Sequence, residues 1–186
     1  MSFRSAPEGQ VTLMRIFASV FAYFYVEFLF GFVTHILYFF GGEGEAGSRS
    51  GVFYVIFLVA VTKFTDMGAY FIGTLIGKHK MIPHISPKKT WQGFGGAIAG
   101  ANLAAFGMLW LFGEHLPGLT AAGAAILAVC LGCAAVAGDL AESVLKRCFA
   151  VKDSGRFLPG IGGALDLIDS ILFTAPILYV FLRIVA

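Results

Sequence analysis

The chain has 186 residues, of which 58% are hydrophobic, 15% aromatic and only 13% charged, and its formal net charge is +2. Soluble domains carry about 25% charged residues, so this composition excludes an ordinary water-soluble globule and points to a polytopic membrane protein. The small net charge and the lack of a basic tail argue against nucleic-acid binding, and three cysteines cannot make a disulfide framework.

The chain opens on the polar segment MSFRSAPEGQ and enters an apolar stretch too long for a signal peptide, read as a retained first span over 12–40. That span is rich in Phe and Tyr and carries Arg15 and Glu27. A second span, 51–77, contains Lys63 and Asp66. No charge lies between Lys89 and Glu114 or between Glu114 and Asp139, and each gap holds 24 residues. A helical span needs about 20, so the third and fourth spans are placed at 92–113 and 118–140. The last, 167–186, is apolar except for Asp169 at its start and Arg183, which can snorkel near its end. In lipid only a helix satisfies its own backbone at these lengths. The expectation is one all-α domain over 1–186 with about five transmembrane helices.

The loops set the orientation. The 78–89 connection holds Lys78, Lys80, Lys88 and Lys89, and the 146–158 connection holds Lys146, Arg147, Lys152 and Arg156. Two spans separate them, so they share a side, which the positive-inside rule makes the cytoplasm. The N-terminus with Arg4 and Arg15 then lies inside, and the 41–50 and 114–118 connections lie outside.

Charge is concentrated where spans end. Fifteen of the charged residues fall within 63–92 and 139–169. A charge in or beside a span normally faces a cavity or a partner. Lys63 and Asp66 are three apart on one helix face; either they neutralise each other, or Asp66 reaches a polar site at the cytoplasmic end. Asp139, Glu142, Ser143 and Lys146 line one helical stripe. A glycine-rich turn, 159–163, leads into a helix whose first turn carries Asp166 and Asp169. Helix capping explains one of those carboxylates but not Asp139 as well. Carboxylates from two helices at one level suit a hard cation such as Mg²⁺. The surrounding lysines and arginines are the residue types that hold phosphates. Together they point to phosphoryl-type chemistry on a nucleotide or a lipid phosphate. Cys130 and Cys133 lie in an uncharged run and read as small residues at a helix interface, as do Gly93, Gly95, Gly96 and Gly100. His79 and His84 read as basic-loop residues. No P-loop, Rossmann fingerprint or GxSxG is present.

At these residues a resemblance emerges. Gly138-Asp139-Leu140-Ala141-Glu142-Ser143, then Lys146-Arg147, Lys152-Asp153-Ser154-Gly155, and Leu158 through Gly163 to Asp166 and Asp169, resemble the signature of phosphatidate cytidylyltransferases, the CDP-diacylglycerol synthases. Asp66 to Gly73, Gly77 to Lys80 and Ile85 to Gly93 are similar to a second family stretch, in the right order. The resemblance implies attack by the phosphate of phosphatidate on the α-phosphorus of CTP, giving CDP-diacylglycerol and pyrophosphate for phospholipid synthesis. It implies Mg²⁺, with a monovalent cation such as K⁺ beside it. By position, Asp139 and Asp166 become metal ligands, with Asp169 and Asp153 next. Lys146, Arg147 and Lys152 hold the triphosphate, and Ser143 donates to a phosphate oxygen. Lys88 and Lys89 complete a basic rim at the lipid phosphate, beside Asp66. The implied location is a bacterial inner membrane, with the site facing the cytoplasm.

The match has departures. Ile161 stands where the family commonly has histidine, Leu167 where it has arginine, and Ala164 where it has a larger apolar residue. The retained carboxylates and Lys-Arg core imply that the two lost donors are dispensable. The front end is shorter than the family's, as in a C-terminal catalytic part whose lipid-facing wall a homodimer would complete. Other readings remain: a CTP-dependent lipid kinase of the same superfamily, a non-catalytic paralogue, and a cation-transporting membrane protein.

Overall fold

The computed structural model describes residues 9–39, 45–83, 86–148 and 164–185. Within them run five α-helices, α1 (Gly9–Phe39), α2 (Glu45–Ile76), α3 (Trp91–Phe112), α4 (Ala121–Cys148) and α5 (Ala164–Val185). Each covers one of the apolar stretches picked out by the charge gaps. The chain is therefore an all-α membrane protein, with one local exception described below. Arg49–Ile76, Trp91–His115 and Ala121–Val144 are long and apolar enough to cross a bilayer, while Glu27–Tyr38 and Ser170–Val185 are shorter apolar stretches. The outward faces are apolar to a degree that water would not tolerate: Trp110 is 85% exposed and Ile184 78%. In lipid such faces are solvated rather than sticky. α1 runs unbroken through Glu27, which lies on its exposed side.

α2 is the central helix and packs against each of the other four, most extensively against α3. That interface is built on glycine. A Cβ on Gly68 or Gly96 would overlap the other's carbonyl oxygen, and one on Gly100 would overlap the Phe64 carbonyl. The two backbones touch, as small residues allow in membranes, where packing rather than water expulsion drives association. Gly95 has no atom within 4 Å of its would-be Cβ, so it does not belong to the seam with Gly93, Gly96 and Gly100. One hydrophobic cluster draws on all five helices, with Ile36, Phe57, Ala105, Leu131 and Leu178 at its centre.

Two buried hydroxyls cross this core. Thr62 Oγ1 and Thr174 Oγ1 lie 3.1 Å apart, joining α2 to α5; one hydroxyl donates across to the other, which accepts and gives its own single hydrogen to a carbonyl of its helix, Leu58 for Thr62 or Ser170 for Thr174. Thr174→Val is expected to lower stability by about 0.6 kcal/mol, the mean for interhelical hydrogen bonds in membranes. Reversible unfolding in mixed micelles measures it; a loss above about 2 kcal/mol would exceed the range for a single such bond.

Turn chemistry closes the two ends of the bundle. At one end the 3-10 turn Gly113–His115 follows α3, and Gly118 adopts a left-handed φ of 84°, which glycine accommodates without a Cβ clash. Thr120 then caps α4 by accepting from the Gly123 N–H at 3.1 Å. The N-terminal half of α2 seals this end: Tyr54 donates to the Pro117 carbonyl at 2.8 Å, and Phe53 stacks on His115.

At the opposite end the lysine-rich connection contains a short antiparallel hairpin, β1 (Lys80–Ile82) and β2 (Ser86–Thr90), where a loop was expected. Pro83 and Pro87 obscure it in the sequence. In a two-stranded ribbon both strands are edges, so the missing N–H of Pro87 is tolerated. The base of the hairpin is clamped to α3: Gln92 accepts from the backbone N–H of Lys78 and His79, its amide meets His79 Nδ1 at 2.8 Å, and Trp91 N–H donates to the His79 carbonyl. His79 is thus a structural partner of α3 rather than a free basic residue.

Candidate active site

Where the hairpin folds back over the helices, a cavity of about 430 Å³ opens between α2, the hairpin, α3, α4 and α5. Its polar wall brings together residues far apart in the chain: Asp66 from α2, Lys88 and Lys89 from β2, and Asp139 and Glu142 from α4. Local sequence explains each position. Asp66 follows Lys63 by less than a turn, and the two form an ion pair at 3.5 Å. Asp66 is thus paired with Lys63 and also lines the cavity. Lys88 and Lys89 are successive residues of β2, and both side chains reach the cavity, Lys88 at the exposed rim and Lys89 deeper in the wall. Immediately beyond them Thr90 caps α3, its hydroxyl accepting from the Gly93 N–H at 3.1 Å.

The central contact is between Lys89 Nζ and an Asp139 carboxylate oxygen, at 2.8 Å. Lys89 is 17% exposed and Asp139 45%, so the ammonium sits in the wall while the carboxylate still faces the open volume. An ammonium this far out of water needs its partner; removing the carboxylate leaves an uncompensated charge. One turn further along α4, Glu142 is 4% exposed and also lines the cavity. It completes the acidic stripe that the i, i+3 spacing from Asp139 predicts.

The structure does not bring every expected residue to the cavity. Ser143 lies on the same stripe, but its hydroxyl donates to the Asp139 carbonyl at 2.8 Å, within α4, and it does not line the cavity. The side chains of Lys146, Arg147, Asp166 and Asp169, and the whole of Lys152 and Asp153, lie outside the described residues. Ile161 and the rest of the glycine-rich turn lie outside them too. Sequence reasoning passed over Tyr70, Ser86 and Ser170, which also line the wall. Tyr70 stands one turn beyond Asp66, and Ser170 directly follows Asp169, so helical spacing and adjacency were the available signals.

Cys130 and Cys133 are both exposed on the outer face of α4, away from the cavity. They are not at a helix interface as expected. Cys130→Ala and Cys133→Ala should each change stability by less than about 0.5 kcal/mol and leave turnover intact, measured by thermal unfolding and CTP consumption.

Residues 3–185 match the Cytidylyltransferase family. A phosphatidate cytidylyltransferase of Brucella suis biovar 1 is 45% identical over 131 residues, 68% of this chain and 46% of its own. One from Staphylococcus aureus strain COL is 39% identical over 132 residues, 71% of this chain and 50% of its own. An uncharacterized Escherichia coli K12 protein, YnbB, is 37% identical over 135 residues, 73% of this chain and 44% of its own. The chain spans about half the length of the curated relatives it matches. With a match over nearly its whole length and a cavity that gathers both charged windows, this chain belongs to the cytidylyltransferase family.

Proposed function

We propose that the chain transfers the cytidylyl group of CTP to phosphatidate, releasing pyrophosphate and forming CDP-diacylglycerol. The observation that carries this reading is the convergence of Asp66, Lys88, Lys89, Asp139 and Glu142 on one cavity at the end of a lipid-facing bundle. Its names-alone support comes from the two relatives called phosphatidate cytidylyltransferase.

In the reaction, an oxygen of the phosphatidate phosphate forms a bond to the α-phosphorus of CTP, and the bond from that phosphorus to the bridging oxygen of the β-phosphate breaks. Negative charge passes to pyrophosphate. The protein's task is to hold two anions together and to stabilise that charge, which preorganised cations do best in a site shielded from water. Lys88 stands exposed at the rim, suited to the phosphate of a lipid approaching from the bilayer. Lys146, Arg147 and Lys152 are proposed for the triphosphate. Carboxylate oxygens of Asp139 and Glu142, on one face of α4, are the donors a hard cation prefers; among the described residues no third ligand joins them, so these two would contribute part of a Mg²⁺ site. Asp139 would hold it, with Asp166, Asp169 and Asp153. When bound, the ion would neutralise charge along the triphosphate. A monovalent cation such as K⁺ is assigned to the same acidic end.

We place the cavity at the cytoplasmic side of a bacterial inner membrane, with five spans. Two contacts support that two-sided arrangement: Tyr54 to Pro117 at one end of α2 and α3, and Lys89 to Asp139 at the other. A homodimer completing the lipid-facing wall remains part of the proposal.

The test is turnover by the purified chain in detergent micelles with CTP, phosphatidate and Mg²⁺, following pyrophosphate and CDP beside a no-lipid control. Lipid-dependent pyrophosphate release supports the reading. CDP release with a lipid alcohol moves the chain to a lipid kinase, and silence in a well-folded sample removes the activity.

A further inference from the structure

We propose that Lys89 is a built-in counter-cation of Asp139, which a divalent cation must displace before the site can work. The inference rests on the reading of Asp139 as a cation ligand and adds a function for the lysine that pairs with it.

A lysine whose task was only to hold a substrate phosphate would stand in the open volume, as Lys88 does. Lys89 instead is largely buried, its Nζ is closed off from solvent, and it meets the Asp139 carboxylate at 2.8 Å. Its position is fixed from both sides. The next residue, Thr90, pairs with Lys80 across the hairpin and caps α3, and the hairpin base is clamped by Gln92. The backbone therefore anchors the base of this side chain beside Asp139.

An ammonium 2.8 Å from a carboxylate oxygen, an ion pair without hydrogen-bond geometry, occupies the same charged oxygen that a hard cation seeks. The cavity wall also carries Asp66, Glu142 and Lys88, with Asp66 paired to Lys63. Among these described groups, Asp139 is the carboxylate that Lys89 contacts. A pair closed in most molecules reduces the apparent affinity of any competing cation by the fraction left open. Displacement has a second result: it turns the Lys89 ammonium loose beside Lys88, where two adjacent cations can face an incoming phosphate. The pair so couples cation binding to the readiness of the basic wall.

The test is Mn²⁺ binding to the full chain in detergent, followed by electron paramagnetic resonance, with neither CTP nor lipid present. If the pair is closed about nine-tenths of the time, Lys89→Met should bind Mn²⁺ about tenfold more tightly than the unsubstituted chain. Lys88→Met removes the same charge without breaking the pair, so its gain should stay below about twofold. Lys89→Arg, which keeps a donor for the carboxylate, should gain nothing. In an Asp139→Asn background the gain from Lys89→Met should vanish. Should Lys89→Met fail to give a monodisperse sample, Lys89→Gln is measured in its place.

An unchanged or weaker affinity in the Lys89 variant overturns the proposal, as does an equal gain in Lys88→Met or no Mn²⁺ binding in any variant. If Asp139→Asn binds Mn²⁺ as well as the unsubstituted chain, the assignment of Asp139 falls and the inference with it. If Asp139→Asn loses the ion but Lys89→Met gains nothing, the inference falls alone. CTP turnover is measured separately and decides the proposed reaction on its own.

Discussion

Asp139→Asn leaves a chain that inserts and folds but consumes CTP at least about 10²-fold more slowly, the scale on which one preorganised electrostatic group acts in catalysis. The substitution keeps the shape of the side chain and removes its charge. Two effects then have to be separated, because Asp139 both faces the cavity and neutralises Lys89. Losing the pair strands a largely buried ammonium, so part of any loss of activity could come from a distorted hairpin. The double variant Asp139→Asn with Lys89→Met removes both charges and relieves that strain. Thermal unfolding in detergent should recover in the double variant, while turnover should not. Recovery of turnover would show that the carboxylate acts only as a structural partner. Near-normal activity in Asp139→Asn alone would remove it from the site altogether.

The second large effect is expected in the α2–α3 seam. Gly96→Val places a branched side chain where the Gly68 carbonyl and the Ile72 side chain already stand. Overpacking a core costs about 1–3 kcal/mol when side chains can rearrange. Here the obstacle includes backbone, which cannot change rotamer, so the loss should exceed that range. Total stabilities are about 5–15 kcal/mol, so the variant should fail to give a monodisperse folded sample. Gly68→Val should fail in the same way from the other side. Gly95→Ala is the contrast: its would-be Cβ meets nothing within 4 Å, and replacing a mid-helix glycine should stabilise by about 0.5–1 kcal/mol. A folded, active Gly96→Val protein would show that the helices separate more easily than this contact implies. The consequence reaches the site, since α2 carries Asp66 and α3 anchors the hairpin that carries Lys89.

The seam and the ion pair also mark how far local reasoning extends. Periodicity along α4 was enough to put Asp139 and Glu142 on one stripe, and the structure buries Glu142 in the cavity wall as that stripe requires. The same reasoning placed Ser143 there, but its hydroxyl turns back to the Asp139 carbonyl. A hydroxyl near a free i−4 carbonyl has a local partner that spacing alone does not reveal. Gly95 and Gly96 are adjacent and chemically identical, yet one opens outward and the other touches α2. Only the helix crossing distinguishes them. The hairpin was hidden because two prolines read as a loop, while its base is held by Gln92 on the following helix.

Some properties were determined by the amino-acid sequence alone. The 24-residue gaps between charges bounded the third helix and located the fourth, which runs past its gap to Cys148, because a charge in lipid has a large transfer penalty. The concentration of charge within 63–92 and 139–169 marked residues that meet at one cavity, and the signature around Asp139 to Asp169 named the family. Tertiary structure decided which of these charges meet: Lys89 with Asp139 across the cavity, Lys63 with Asp66 beside it. Hydropathy and helical period are properties of neighbours in the chain, whereas an ion pair between a hairpin and a distant helix depends on how those elements cross. The α2–α3 contact beneath that hairpin is set by glycines whose only signal is the absence of a side chain.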